Sequence, residues 1–262
     1  MSESGIPSPA ELARIARQHV GSLRAAGIDW VPAAPASPAA ALSREETPQQ
    51  HSLGGSTLFD GVSDETPRPV LSLDERKHSL KVLTEQVAGC TRCPGLASTR
   101  TQTVFGVGKL DPDVCFVGEA PGADEDARGE PFVGAAGQLL NRIIAACGMK
   151  RDEVYICNIL KCRPPGNRLP QADEAANCRE YLEKQIDLVR PKSICALGAC
   201  AAQNLLATTA SIGRLRGQFQ QYRGIPMLCT YHPAYLLRNP GAKKDVWEDM
   251  KKLMAKLGRL VK

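Results

Sequence analysis

Residues 113–126 read DVCFVGEAPGADED. After Asp113, the next five are apolar and suited to an extended, buried backbone; Gly, Pro and acidic residues follow with no helical period. This is a strand that leaves a core and empties into a loop. The pattern returns in EVYICNIL (153–160), KSICALG (192–198) and PMLCTYH (226–232). Helical periods lie between or after these runs, over 135–147, 171–188, 199–206 and 243–257. Four short strands alternating with helices predict an α/β fold with a four-stranded parallel sheet covered on both faces. In such sheets ligands bind outside the carboxyl ends of the strands. The segments GEAPGADED, NILKCRPPGN, GAC and HPAYLLRNP are therefore expected to converge on one cleft.

Upstream, Ser72-Leu-Asp-Glu75 is a capping-box pattern and opens a predicted helix over 73–88. A globular domain is expected over 72–262. Before it, residues 31–70 are rich in Pro, Ala, Ser, Thr and Gly and read as a disordered linker, preceded by a short helical segment within 1–30. Of the 262 residues, 43% are hydrophobic and 23% charged, which excludes a collagen-like, rod-like or wholly disordered chain. No run of eighteen apolar residues occurs, so no membrane span is expected. The start lacks a basic-then-apolar leader, so a cytoplasmic, nucleoid-associated setting with reduced thiols is expected. The net charge of +5 is unevenly spread: residues 203–262 carry eleven Lys and Arg against three Asp and Glu. A one-sided basic surface points to a polyanion such as nucleic acid.

Ten cysteines are too few for a disulfide scaffold. Cys115, Cys147, Cys157, Cys195, Cys200 and Cys229 fall inside apolar strands and helices and read as small core residues. Cys90 and Cys93 form a C-x2-C pair; Cys162 leaves the second strand and Cys178 follows after fifteen residues. These four suggest a metal site, and their spacing leaves zinc and an iron–sulfur cluster open.

The loop after the first strand is neither a dinucleotide fingerprint nor a phosphate loop. Four carboxylates in eight residues, Glu119 and Asp124 to Asp126, would repel a phosphate; a neutral base or a water fits better. Gly118 and Gly122 would let backbone approach such a ligand. Glu119 is the functional candidate, whereas Asp124 and Asp126 read as a solvated turn. Phe132, in the Gly/Pro turn PFVG, is a candidate stacking platform. Asn158 ends the second strand, where its amide can read a base edge. Asn167 reads as a helix cap ahead of Pro170. His232 follows the fourth strand, and Leu236, Leu237 and Arg238 form an apolar-plus-basic element suited to wedging into a duplex.

GEAPGADED, PFVG, NILKCRPPGNR and HPAYLLR, with the C-x2-C pair and Cys178, closely resemble the family 4 uracil-DNA glycosylases over about residues 76–258. The resemblance implies a three-layer α/β/α fold and hydrolytic removal of uracil from single- or double-stranded DNA in base excision repair. It also implies a 4Fe-4S cluster on Cys90, Cys93, Cys162 and Cys178. By the same resemblance Phe132 stacks on uracil, Asn158 bonds its edge and His232 donates toward its O2. Glu119, Glu125 and Asn167 then serve the water and sugar side.

Two departures stand out. The amino-terminal extension has no counterpart in minimal members and offers a place for a repair or replication partner. A related class that crosslinks itself to DNA carries a His-containing insert after the second strand; Cys162 to Cys178 is short and has no His. Turnover by a monomer is expected. The competing readings are a non-enzymatic four-cysteine zinc module that docks on nucleic acid, and a glycosylase for hypoxanthine or xanthine.

Overall fold

The computed structural model describes residues 71–259. The helical segment expected within 1–30 and the linker expected over 31–70 lie outside them. The domain opens with α1 (Leu73–Ala88). Ser72 Oγ accepts from Glu75 N at 3.3 Å and Glu75 Oε2 accepts from Ser72 N at 2.7 Å, the reciprocal cap that the sequence announces. There follow α2 (Pro94–Ala97), β1 (Val107–Gly108), β2 (Val114–Gly118), α3 (Ala123–Arg128) and α4 (Ala135–Ala146). The chain continues through β3 (Tyr155–Asn158), α5 (Ala172–Val189), β4 (Ser193–Leu197), α6 (Gly198–Leu206) and α7 (Ile212–Leu215). It closes with β5 (Phe219–Tyr222), β6 (Ile225–Thr230), α8 (Pro233–Arg238) and α9 (Lys243–Lys256).

The sheet has six strands in the order β1-β3-β2-β4-β6-β5. The expectation of a four-stranded parallel sheet is corrected to a mixed one. The four predicted strands form its parallel middle, and β1 and β5 add antiparallel edges. β5 escaped notice because FQQY alternates without an apolar face and lies at a partly exposed edge. It joins β6 through Arg223 (φ 50°) and Gly224 (φ 78°), a two-residue hairpin turn with both central residues left-handed.

Strand alternation sorts the core into two layers. Val114, Phe116, Ile156, Cys195, Leu197 and Leu228 face α4, α8 and α9 through Leu140, Ile144, Leu236, Met250 and Leu253. Cys115, Val117, Cys157, Ile194, Ala196, Met227 and Cys229 face α5 and α6 through Leu182, Ile186, Ala201, Ala202 and Leu205. Five of the cysteines read as core residues are buried here, and Cys200 is half-buried. Because β3, β2, β4 and β6 run in one direction, their carboxyl ends lie along one edge. Gly118 pairs with Asn158 across β2 and β3, and Leu197 with Thr230 across β4 and β6.

Candidate active site

At that edge lies a cavity of about 260 Å³. Its walls include Glu119, Gly122, Glu125, Phe132, Asn158, Asn167 and His232, seven of the residues singled out in the sequence. Gly118 lies directly beneath: a Cβ there would strike the Phe132 ring and the Asn158 amide. Ala120, Pro121, Ala136, Pro164, Arg168 and Ala234 complete the lining and carried no signal of their own in the sequence.

Phe132 is buried with φ 54°, a left-handed conformation that costs a bulky side chain of order 1–3 kcal/mol. Its neighbours hold it there. Glu125 Oε1 accepts from Val133 N at 2.8 Å and Gly134 N at 3.0 Å, and Glu125 Oε2 accepts from Gly122 N at 3.1 Å. Arg151 donates to the Pro131 carbonyl at 2.6 Å and to Asn141 Oδ1 at 3.0 Å. At Gly137, in α4, any side chain would overlap the Phe132 carbonyl. The Phe132 ring lies 5.5 Å from that of His232, tilted by 32°.

His232 caps α8. Its Nδ1 accepts from Ala234 N at 3.1 Å, which leaves Nε2–H as the ring's donor. Burial, with Arg238 second, pushes its pKa down to about 4, so the imidazole is neutral near pH 7. Gly198 (φ 90°), at the start of α6, makes this seat possible: a Cβ there would come within 2.9 Å of His232 Cβ.

The two glutamates differ. Glu125 is engaged by three backbone N–H groups. Glu119 is pushed above the usual carboxylate range by burial and is paired with the Cys200 thiol. Asn158 is almost wholly buried, and its Oδ1 has no hydrogen-bond partner. Its main-chain carbonyl accepts from Lys161 Nζ at 2.9 Å.

Several expectations are corrected. Asn167 does not cap α5, whose N-cap is Gln171; it sits in a 3-10 turn with φ 55° and its Oδ1 accepts from Arg163 Nε at 2.7 Å. Asp126 is buried, not solvated, and takes Thr101 N on both oxygens at 2.9 and 3.1 Å. Leu236 belongs to the core, so of the expected wedge only Leu237 and Arg238 are exposed, beside Tyr235.

The expected 4Fe-4S cluster, like the zinc alternative, is also corrected. Among the described residues no group of three or more His, Cys, Asp or Glu is placed to hold a metal ion. The thiols have other neighbours. Cys162 Sγ accepts from Arg100 at 3.0 Å and Cys93 Sγ from Asn177 at 3.5 Å. Cys93, Cys162 and Cys178 pack with Leu96 and Leu160, whereas Cys90 joins a separate cluster with Leu83 and Val87. Burial pushes the Cys178 thiol up to about 11 and the Cys162 thiol upward.

No helix among the described residues is long and apolar enough to cross a membrane. A family model described as the uracil DNA glycosylase superfamily matches residues 105–251. The type-4 uracil-DNA glycosylase of Thermotoga maritima is 42% identical over 181 residues, covering 68% of this chain and 94% of its own. That of Archaeoglobus fulgidus is 41% identical over 183 residues, covering 67% and 92%. A type-5 uracil-DNA glycosylase of Pyrobaculum aerophilum is 32% identical over 190 residues, covering 60% and 83%.

Proposed function

The chain belongs to the uracil-DNA glycosylase superfamily, among its type-4 enzymes, and we propose that it hydrolyses the N-glycosidic bond of uracil in DNA and leaves an abasic site. The observation that carries this reading is the neutral His232, held by its own helix cap with an N–H free on the wall of a cavity that also presents Phe132 and Asn158.

An enzyme that works on a base in a duplex must first extrude it into a pocket. Here Phe132 supplies a flat apolar face and Asn158 an amide whose donor and acceptor meet the base edge. Bond cleavage sends the C1′–N1 electron pair into the uracil ring, and negative charge grows on its oxygens. A neutral N–H aimed at that charge from His232 stabilises it without a proton having to leave the protein. Water attacks C1′, and Glu119 accepts its proton. Burial lifts Glu119 toward the range in which a carboxylate is a useful acceptor. Glu125, held by three N–H groups, positions the Phe132 turn. Asn167 and Arg168 close the wall toward the sugar, and Leu237 and Arg238 fill the gap left in the duplex.

The test is single-turnover release of uracil from a labelled oligonucleotide with one uracil. The chain is expected to release the base, and His232→Ala to slow release by roughly a hundredfold at unchanged DNA affinity. Intact substrate with the unaltered chain, or an undiminished variant, overturns the assignment. A denaturing gel is expected to show no lasting protein–DNA adduct.

A further inference from the structure

Behind the cavity lies a charged side chain that the mechanism above leaves unused. Lys161, in the segment leaving β3, is 1% exposed. It is among the most buried large side chains. It makes no ion pair with a carboxylate among the described residues. Its Nζ donates to Gln185 Oε1 at 2.6 Å and to the main-chain carbonyl of Asn158 at 2.9 Å. It also lies 5.7 Å from the centre of the Phe105 ring. Gln185, fully buried in α5, is fixed in turn: its Nε2 donates to the Phe105 carbonyl at 2.9 Å and to Tyr155 Oη at 3.0 Å.

A buried charge with no counter-ion is expensive, and a fold that needed only to tie β3 to α5 could use a neutral amide or an apolar contact. Helix α5, the loop and both ends of β3 instead converge to hold this ammonium against the backbone of the residue that faces the base. Water is excluded around it, so its field is weakly screened and reaches charge that appears nearby. On the substrate, the one group that gains negative charge during the reaction is the departing base.

We propose that Lys161 is a positioning residue with an electrostatic role: tethered by Gln185, it fixes the Asn158 backbone and supplies the positive field behind the pocket that favours departure of uracil as an anion. This rests on the glycosylase reading and adds to it a group that does not touch the substrate. The reaction balance is unchanged. The C1′–N1 bond breaks with its electrons on the base, and Lys161 neither gives nor takes a proton.

The field can be separated from a merely structural role by changing the leaving group. 5-Fluorouracil enters a pocket built for uracil, because fluorine is little larger than hydrogen, yet it leaves more easily because fluorine withdraws electrons. The unaltered chain, Lys161→Met and Gln185→Glu would be compared on oligonucleotides carrying one uracil or one 5-fluorouracil, under single turnover with enzyme in excess. Gln185→Glu keeps the shape and sets a carboxylate against the ammonium; it provides a second route if Lys161→Met folds poorly. DNA affinity and circular dichroism would be recorded for each protein.

The expected result is a fall of roughly ten- to a hundredfold in the maximal rate on uracil, a clearly smaller fall on 5-fluorouracil, and unchanged DNA affinity in the folded variants. Equal slowing on both bases would mean that only geometry was lost and would overturn the proposal. So would an unchanged rate on uracil. Release of neither base by the unaltered chain would overturn the glycosylase reading and this inference together.

Discussion

His232, Glu119 and Gly198 show how single residues set the chemistry of the cavity. The His232 pKa lies near 4, so its imidazole should stay neutral through the ordinary histidine range near pH 6.5. An imidazole NMR titration of His232 with a midpoint near 6.5 would contradict this. Glu119 has the opposite balance. Burial raises its pKa, so its ionised form costs folding stability as pH rises through that value. Glu119→Gln should therefore melt at a higher temperature than the unaltered chain while releasing uracil more slowly; calorimetry beside the excision assay checks both signs. At Gly198, alanine would press on His232 Cβ from a backbone position that L residues avoid. Gly198→Ala should lose activity mainly in the maximal rate. The place of His232 and Asn158 in the cavity was legible because each stands just beyond or at the end of an apolar run, and that of Phe132 because it is an aromatic in a Gly/Pro turn. The surroundings of Gly198 and Lys161 were not, since nothing local distinguishes a glycine that admits a neighbour's ring or a lysine that turns inward.

At the scale of the element, the short helix α3 and the turn after it act through one carboxylate. Glu125 accepts from Gly122, Val133 and Gly134, so it closes the loop that keeps Phe132 left-handed. Glu125→Ala should cost about 1–3 kcal/mol in urea unfolding, because three N–H groups lose their acceptor, and should weaken capture of the base. The β5–β6 hairpin is its counterpart far from the lining residues. Gly224→Ala meets no atom within 4 Å and pays only for its φ of 78°, about 1 kcal/mol, with excision unchanged. A drop in activity there would show that the sheet edge communicates with the cavity. The sequence displayed β2, β3, β4 and β6 because both faces of each are covered and their apolar character is continuous. It hid β1 and β5, since a two-residue strand has no period and an edge strand has no hydrophobic requirement.

For the molecule as a whole, acid should act in two stages. A His232 pKa below its unfolded value contributes stability that is fully present above about pH 6.5 and is lost as pH falls toward about 4. Asp111, Asp113 and Glu174 are held low by Arg76, Lys192 and Arg168 in turn. Their contribution is present above the ordinary carboxylate value near 4 and is lost only below it. Urea midpoints measured against pH should show both declines, and His232→Ala should lack the first. The layered architecture behind this was legible from the alternation of strand and helix. The thiol environment was not: the spacing of Cys90, Cys93, Cys162 and Cys178 was read as a ligand set, whereas among the described residues no group of three or more His, Cys, Asp or Glu is placed to hold a metal ion. Spacing along a chain reports the order of residues and leaves their side-chain directions open.

The cap of α8 carries one further consequence. The nitrogen of His232 that anchors this helix is the one that an added proton would occupy, and the same short helix bears Leu237 and Arg238. Acidification would then set two donors face to face at the helix start. The ring would change its charge and the arm proposed to enter DNA would lose its footing in a single event. Base release and insertion into the duplex are expected to fail together, as two readings of one bound proton.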